Sequence, residues 1–238
     1  MPVPESVKAL VFDIGGTIFD WHHGIANEVD RLARERGATV EAPQFANTWR
    51  RGMFEVLTQV RAGELPWMNA DEMHRRVLDD VAPQFPQLEL SASDLDALNR
   101  VWHRLDAWPD APAAIAALRE RYTVIVLTVL SWSIAVDSSK HAGISWDGIL
   151  SCEFLDVYKP EPGAYQAGVR LLGLEPAEAM MVAAHPWDLE HAMAAGLHSA
   201  YVPRPGERGD AAEPPPATMD GATVNAADFT DLVRQLVG

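Results

Sequence analysis

The sequence predicts an α/β fold, a doubly wound parallel sheet with a helical cap inserted after its first strand. Three observations predict it. Short, nearly continuous apolar runs recur at residues 7–12, 122–127, 180–183 and 199–202, the pattern of strands buried on both faces. Helical periodicity fills the stretches between them. The interval after the first run is far longer than a simple crossover, and from Gly24 to Ala107 it carries helical periodicity with almost no strand signal. The expected division is an α/β core of residues 1–20 and 107–238 and a helical cap of residues 21–106.

In chain order, the first strand ends at Asp13, and Gly15 and Gly16 follow in a turn where backbone can approach a ligand closely. Ile25, Val29, Leu32 and Ala33 form one helix face, which Gly37 ends. A second face comprises Phe45, Trp49, Met53, Phe54 and Leu57, and a third Met73, Val77, Leu78 and Val81, closed by Pro83. A fourth helix begins at Ser93 and carries Leu95, Leu98, Val101, Trp102 and Leu105. Pro112 suits a helix start. The second strand then runs to Thr128, followed by a helix at 134–141, a strand at 148–154 and a helix at 162–172. The strand at 180–183 leads into a helix at 188–195, and the strand at 199–202 comes next. Residues 203–218, rich in Pro, Gly and charge, read as an exposed loop, and 226–237 as a closing helix.

The chain has 238 residues, a formal net charge of −15 and one cysteine. That charge disfavours nucleic acid and anionic membrane, so a small anionic substrate needs a locally basic site. No apolar run reaches the roughly 18 residues of a membrane span. The N-terminus has no basic segment ahead of an apolar one, and lone Cys152 has no disulfide partner, so a cytoplasmic location is expected. The apolar content of the cap permits a homodimer.

In open α/β sheets ligands bind beyond the carboxyl ends of the strands. There the predicted topology gathers Asp13, Thr128 and Asp188, with Lys159 held in extended backbone by Pro160. A carboxylate, a hydroxyl, a lysine and a second carboxylate then share one rim. Taken singly, Asp188 also suits a helix cap, Arg50 a solvated face beside Arg51, and Tyr165 and the tryptophans core packing.

This ordered set resembles the haloacid dehalogenase (HAD) superfamily, with its Rossmann-like core and inserted cap. Longer matches are similar to the 2-haloacid dehalogenases within it: Phe12-Asp13-x-x-Gly16-Thr17 followed by Asp20-Trp21, Thr48-Trp49-Arg50 in the cap, Tyr158-Lys159-Pro160 with Tyr165 beyond, and Val182-Ala-Ala-His185-x-x-Asp188. The resemblance implies a hydrolase that opens carbon–halide bonds of short 2-haloacids. Asp13 would be the nucleophile, Lys159 would keep it anionic, Thr17 would support it, and Asp188 would activate the water that hydrolyses the Asp13 ester. Arg50 would hold the halide or the substrate carboxylate. Backbone around Ile14, Gly15 and Thr128, with Trp21, Tyr165 and His185, would complete the substrate site. No cofactor and no metal are implied. Phosphatases of the superfamily carry acidic residues where this chain has Gly15 and Ala184. Two departures from the dehalogenase pattern are Gly15 in place of an aromatic residue and Thr128-Val129-Leu130 in place of Ser-Asn-Gly. The alternatives are a phosphatase with a degenerate motif and a non-catalytic, anion-binding protein of the same fold.

Overall fold

A computed structural model describes residues 4–238. Six parallel strands form one sheet in the order β3-β2-β1-β4-β5-β6: β1 (Ala9–Phe12), β2 (Thr123–Thr128), β3 (Gly148–Ser151), β4 (Ala179–Ala183), β5 (His198–Tyr201) and β6 (Val224–Asn225). Strands β1 and β4 are wholly buried, which is why their sequences are apolar without alternation. β1 lies between β2 and β4, with Phe12 opposite Val126 and Val182. The carboxyl ends of these three central strands therefore open side by side.

Helices α5 (Ala111–Arg119), α6 (Trp132–His141), α7 (Pro162–Leu171), α8 (Pro186–Ala194) and α9 (Phe229–Val237) belong to the sheet-bearing part. Four more precede them: α1 (Trp21–Glu35), α2 (Ala42–Arg61), α3 (Ala70–Val81) and α4 (Ala92–Asn99). They bury their apolar stripes on one another around Phe45, Trp49, Trp102 and Leu78. Burial of each such side chain contributes about 1.5–3 kcal/mol. The two strands of chain joining the helical block to the sheet run side by side: Phe19 bridges Ala107 in antiparallel sense, and Asp20 N–H donates to Asp106 O at 2.9 Å. No helix among the described residues is long and apolar enough to cross a membrane.

Several elements differ from the sequence expectation. The fourth helix starts at Ser91, whose hydroxyl and the Asp94 carboxylate form a reciprocal capping box, and its second half tightens to a 3₁₀ turn at Arg100–Arg104. β3 stops at Ser151, and the residues after it form a 3₁₀ turn at Cys152–Phe154. The eighth helix begins two residues earlier than expected, at Pro186, so Asp188 sits within its first turn and His185 occupies the cap position. β6 is only two residues long, too short for any periodicity. The expected exposed loop at 203–218 is not exposed throughout: Arg204 is buried, donating to Thr17 O and Asp110, and Glu207 is nearly so.

Candidate active site

Asp13 leaves the end of β1 with its N–H bonded to Val182 O at 3.1 Å. The carboxylate is buried, and its two oxygens face different partners. Oδ1 accepts from Lys159 Nζ at 3.0 Å, and Oδ2 accepts from Thr17 Oγ1 at 2.7 Å. The Thr17 hydroxyl itself accepts from Ala184 N–H at 3.0 Å, tying the turn after β1 to the end of β4. Lys159, 1 % exposed, also donates to Asp188 Oδ2 at 2.7 Å. Asp188 Oδ1 accepts from Tyr165 Oη at 2.5 Å. Tyr165, Asp188, Lys159, Asp13 and Thr17 thus form one continuous buried chain of hydrogen bonds. A buried charge is tolerated only when paired and bonded in this way.

The electrostatics follow. Burial alone would raise the Asp13 pKa, but Lys159, His185 and Thr17 overcome it and hold the group well below the usual carboxylate range. Burial likewise works against the Lys159 charge, and Asp13 and Asp188 overcome it, so its pKa is raised. An ionised Asp13 beside an ammonium is the stable state of this floor. Burial and the adjacent Asp188 carboxylate push the Tyr165 phenol far up, so it stays a hydrogen-bond donor.

A cavity of about 450 Å³ opens above Asp13. Its walls include Gly15, Trp21, Arg50, Phe54, Lys159 and His185. Arg50 comes from α2, is 8 % exposed, and has its guanidinium carbon 4.6 Å from the Phe54 ring centre, 5.4 Å from Trp102 and 5.5 Å from Trp21. Among the described residues, the only hydrogen bond of its guanidinium is a long one, Nη2 to Gly15 O at 3.5 Å, and Nη1 has none. Desolvation lowers its pKa, partly offset by Glu207 and Asp13. The result is a buried cation in an aromatic cage, without an ion-pair partner among the described residues, on the wall of the same cavity as Asp13. A side chain at Gly15 would meet Arg50 Nη2 at 3.2 Å and Leu130 at 3.4 Å, so the glycine leaves room in the cavity and for the guanidinium.

Of the residues expected at the site, Asp13, Gly15, Trp21, Arg50, Lys159 and His185 line this cavity, and Thr17 supports it from beneath. Ile14, Thr128, Tyr165 and Asp188 do not line it. All four are fully buried. The Thr128 hydroxyl accepts from Leu130 N–H at 3.0 Å and shapes the turn after β2. Tyr165 faces Asp188, not the cavity, because α7 packs behind the rim. Among the described residues, no group of three or more His, Cys, Asp or Glu side chains is arranged to hold a metal ion.

The profile of the haloacid dehalogenase-like hydrolase family matches residues 7–196. The chain belongs to that family. A solved L-2-haloacid dehalogenase is 35% identical, with a TM-score of 0.91 over 97% of this chain and 99% of that one. A defluorinating L-2-haloacid dehalogenase is also 35% identical, with a TM-score of 0.90 and full coverage of both chains. The (S)-2-haloacid dehalogenase 4A of Burkholderia cepacia is 28% identical over 85% of each chain.

Phe54, Trp187 and Glu207 also wall this HAD-like site and escaped the sequence reading as site residues. Glu207, from the loop after β5, reaches over the turn at Gly16 to accept from Trp21 Nε1 at 3.0 Å and to pair with His185 Nε2 at 3.0 Å. Gly16 has φ +96°, and a Cβ there would lie 2.1 Å from Glu207 Oε1, so the glycine supplies both the turn and the seat. The signal in the sequence was faint: Pro205-Gly206-Glu207-Arg208-Gly209 packs two glycines around an acid in a stretch with no periodicity.

Proposed function

We propose that this HAD-like hydrolase dehalogenates short 2-haloacids through an ester of Asp13. The observation that carries the reading is an ionised Asp13, locked against Lys159 at 3.0 Å, facing a cavity roofed by the unpaired Arg50. An Asp13 oxygen attacks C2 of the haloacid, the carbon–halogen bond breaks, and halide leaves with the bonding pair. Arg50 in its aromatic cage accepts the departing halide or steadies the substrate carboxylate. The helical block, residues 21–106, acts as the cap that brings Arg50 to the reacting carbon and excludes bulk water. Water then attacks the Asp13 carbonyl carbon, the ester C–O bond breaks, and the 2-hydroxy acid leaves with Asp13 restored. Lys159 and Thr17 orient Asp13 throughout. Asp188 and Tyr165 hold Lys159 in place. The similarity to L- and (S)-2-haloacid dehalogenases supports this substrate class. Gly15 and Ala184 argue against phosphatase chemistry, since neither offers an acid to protonate a leaving alcohol or to bind a hard cation.

The test is free halide measured without added metal from chloro-, bromo- and fluoroacetate and from both enantiomers of 2-chloropropionate, beside phosphate released from a phosphate ester with Mg²⁺. Halide from at least one haloacid and no phosphate is the expected result. Phosphate without halide reverses the assignment, and silence in both arms returns the chain to the non-catalytic alternative.

A further inference from the structure

We propose that the rim of the cavity is a subsite for a second carboxylate, so that the substrate is a 2-haloacid whose C2 substituent ends in an anion, a 2-halodicarboxylate. This rests on the dehalogenase reading above and names the substrate class within it.

Three observations carry it. The first is the size and grading of the cavity. About 450 Å³ falls in the range that encloses a ligand of drug size, and a haloacetate held against Asp13 leaves most of it unfilled. The walls change character outward. Asp13, Lys159, Trp21 and Val129 are buried, Phe54 and Trp187 are partly exposed and meet edge to face with ring centroids 6.4 Å apart, and Arg51 and Arg208 stand in solvent at the rim. A substituent that follows this path crosses an apolar sleeve and arrives at two guanidinium groups.

The second observation is that the rim arginines start from fixed backbone. Arg51 follows Arg50 within α2. Arg208 belongs to the loop after β5, and that loop is docked on the helical block: Asn47 Nδ2 donates to Arg208 O at 3.0 Å, and Gly209, at φ +99°, lies so close to His22 that a Cβ there would be 2.7 Å from its Cε1. The two arginines therefore face each other across the seam between helical block and sheet, on either side of one cavity.

The third observation is the charge left over. Arg50, Arg51 and Arg208 line the same space. Glu207, the acid on that wall, is already bonded to Trp21 and His185. Arg51 has a loose contact with Glu55, 3.9 Å apart with both side chains about two-thirds exposed, and Arg208 has no salt bridge among the described residues. Burial, with the Arg208 charge added to it, works against the Arg50 cation. Guanidinium groups gathered in this way repel one another until anions come between them. Arg50 meets the anion formed or held at the reacting end, which leaves Arg51 and Arg208 for another. Their planar donor forks match a carboxylate. The chemistry at C2 is unaltered: the carbon–halogen bond breaks, the Asp13 ester forms and is hydrolysed, and the far carboxylate passes unchanged into a 2-hydroxydicarboxylate.

The experiment compares halide release from acids of equal carbon number with and without the far carboxylate: 2-chlorosuccinate against 2-chlorobutyrate, 2-chloroglutarate against 2-chlorovalerate, and 2-chloroadipate against 2-chlorohexanoate. The native chain, R51Q, R208Q and the double variant R51Q/R208Q are measured at low and at high salt. An exposed charge pair alone contributes a few-fold, and two that converge on one carboxylate should give about tenfold. The native chain is expected to favour the dicarboxylate in kcat/KM by about tenfold at one length or more, chiefly through KM, because the far group binds alike in ground and transition states. Each single variant should shrink that ratio, and the double variant should bring it to one or below, since the remaining field of this acidic chain opposes a dianion. High salt should shrink it in the native chain as well. The ratio is internal to each protein, so a variant with fewer folded molecules still reports it. Monocarboxylates turned over as well as or better than dicarboxylates at every length overturn the subsite while the dehalogenase reading stands. A dicarboxylate preference that survives in R51Q/R208Q overturns the assignment to these arginines. Halide from no acid in either series overturns the dehalogenase reading, and the subsite with it.

Discussion

The floor and the roof of the cavity handle charge in opposite ways. On the floor, Asp13 and Lys159, with Asp188 behind them, are all buried and every charge has a partner at 2.7–3.0 Å. On the roof, Arg50 is also buried, but among the described residues its guanidinium has only aromatic rings and one long hydrogen bond. A paired network holds a nucleophile ionised and aimed before substrate arrives. An unpaired cation waits for an anion to complete it. The chain keeps a net charge of −15, so the local cluster of Arg50, Arg51 and Arg208 on the cavity wall is what makes the site attractive to an anionic substrate.

Substitutions should divide along the same line, and the largest effect belongs to the floor. D13N is expected to lower turnover by about 10⁴-fold or more, since the other carboxylate lining the cavity, Glu207, is held by Trp21 and His185. Retained activity would remove Asp13 from the chemistry. K159M should cost both activity and stability, about 3–5 kcal/mol in denaturant unfolding, because two carboxylates are left buried without their shared cation. R50M is the contrasting case. It strands no partner, so unfolding stability should change by only about 1 kcal/mol while kcat/KM falls about 10²-fold. R50K should not rescue it, because an ammonium cannot spread over the three rings as a guanidinium does. Large destabilisation by R50M would erase the distinction between floor and roof. Y165F removes one donor from a buried carboxylate and should cost about 1.5–3 kcal/mol with a smaller loss of turnover.

The smallest effect concerns the seam that carries the roof. His103 bonds Asp71 of α3 and Asp137 of α6, each at 2.8 Å. The hydrogen bond to Asp71 raises its pKa, against burial, and Asp137 adds to it. A raised folded value means that the stabilisation is complete below the ordinary histidine range and is lost as pH rises through the folded value. The groups are part-exposed, so the loss should stay under about 1 kcal/mol. H103Q should flatten that slope in unfolding measured across the neutral to alkaline range.

The sequence was most legible where burial dictates composition. Strands β1 and β4, and β2 beyond Thr123, are buried, so they had to be largely apolar runs, and Asp13 at the end of the first stood out against its neighbours. Lys159 was legible through the proline after it. What the cavity needs from irregular backbone was hidden. Glu207 sits in a loop whose fold depends on Arg204 reaching Thr17 O and Asp110 and on Asn47 bonding Arg208 O, contacts made by residues distant in sequence. The placement of Tyr165 behind the rim and of Asp188 away from the cavity was equally beyond a linear reading, because both follow from how α7 and α8 pack.

The most direct test of the mechanism is a single turnover in ¹⁸O water with enzyme in excess, followed by mass measurement of the Asp13 peptide and the hydroxy acid. Attack by Asp13 is expected to leave ¹⁸O in the Asp13 carboxylate and ordinary oxygen in the product hydroxyl. ¹⁸O in the first product molecule with an unlabelled Asp13 would contradict it.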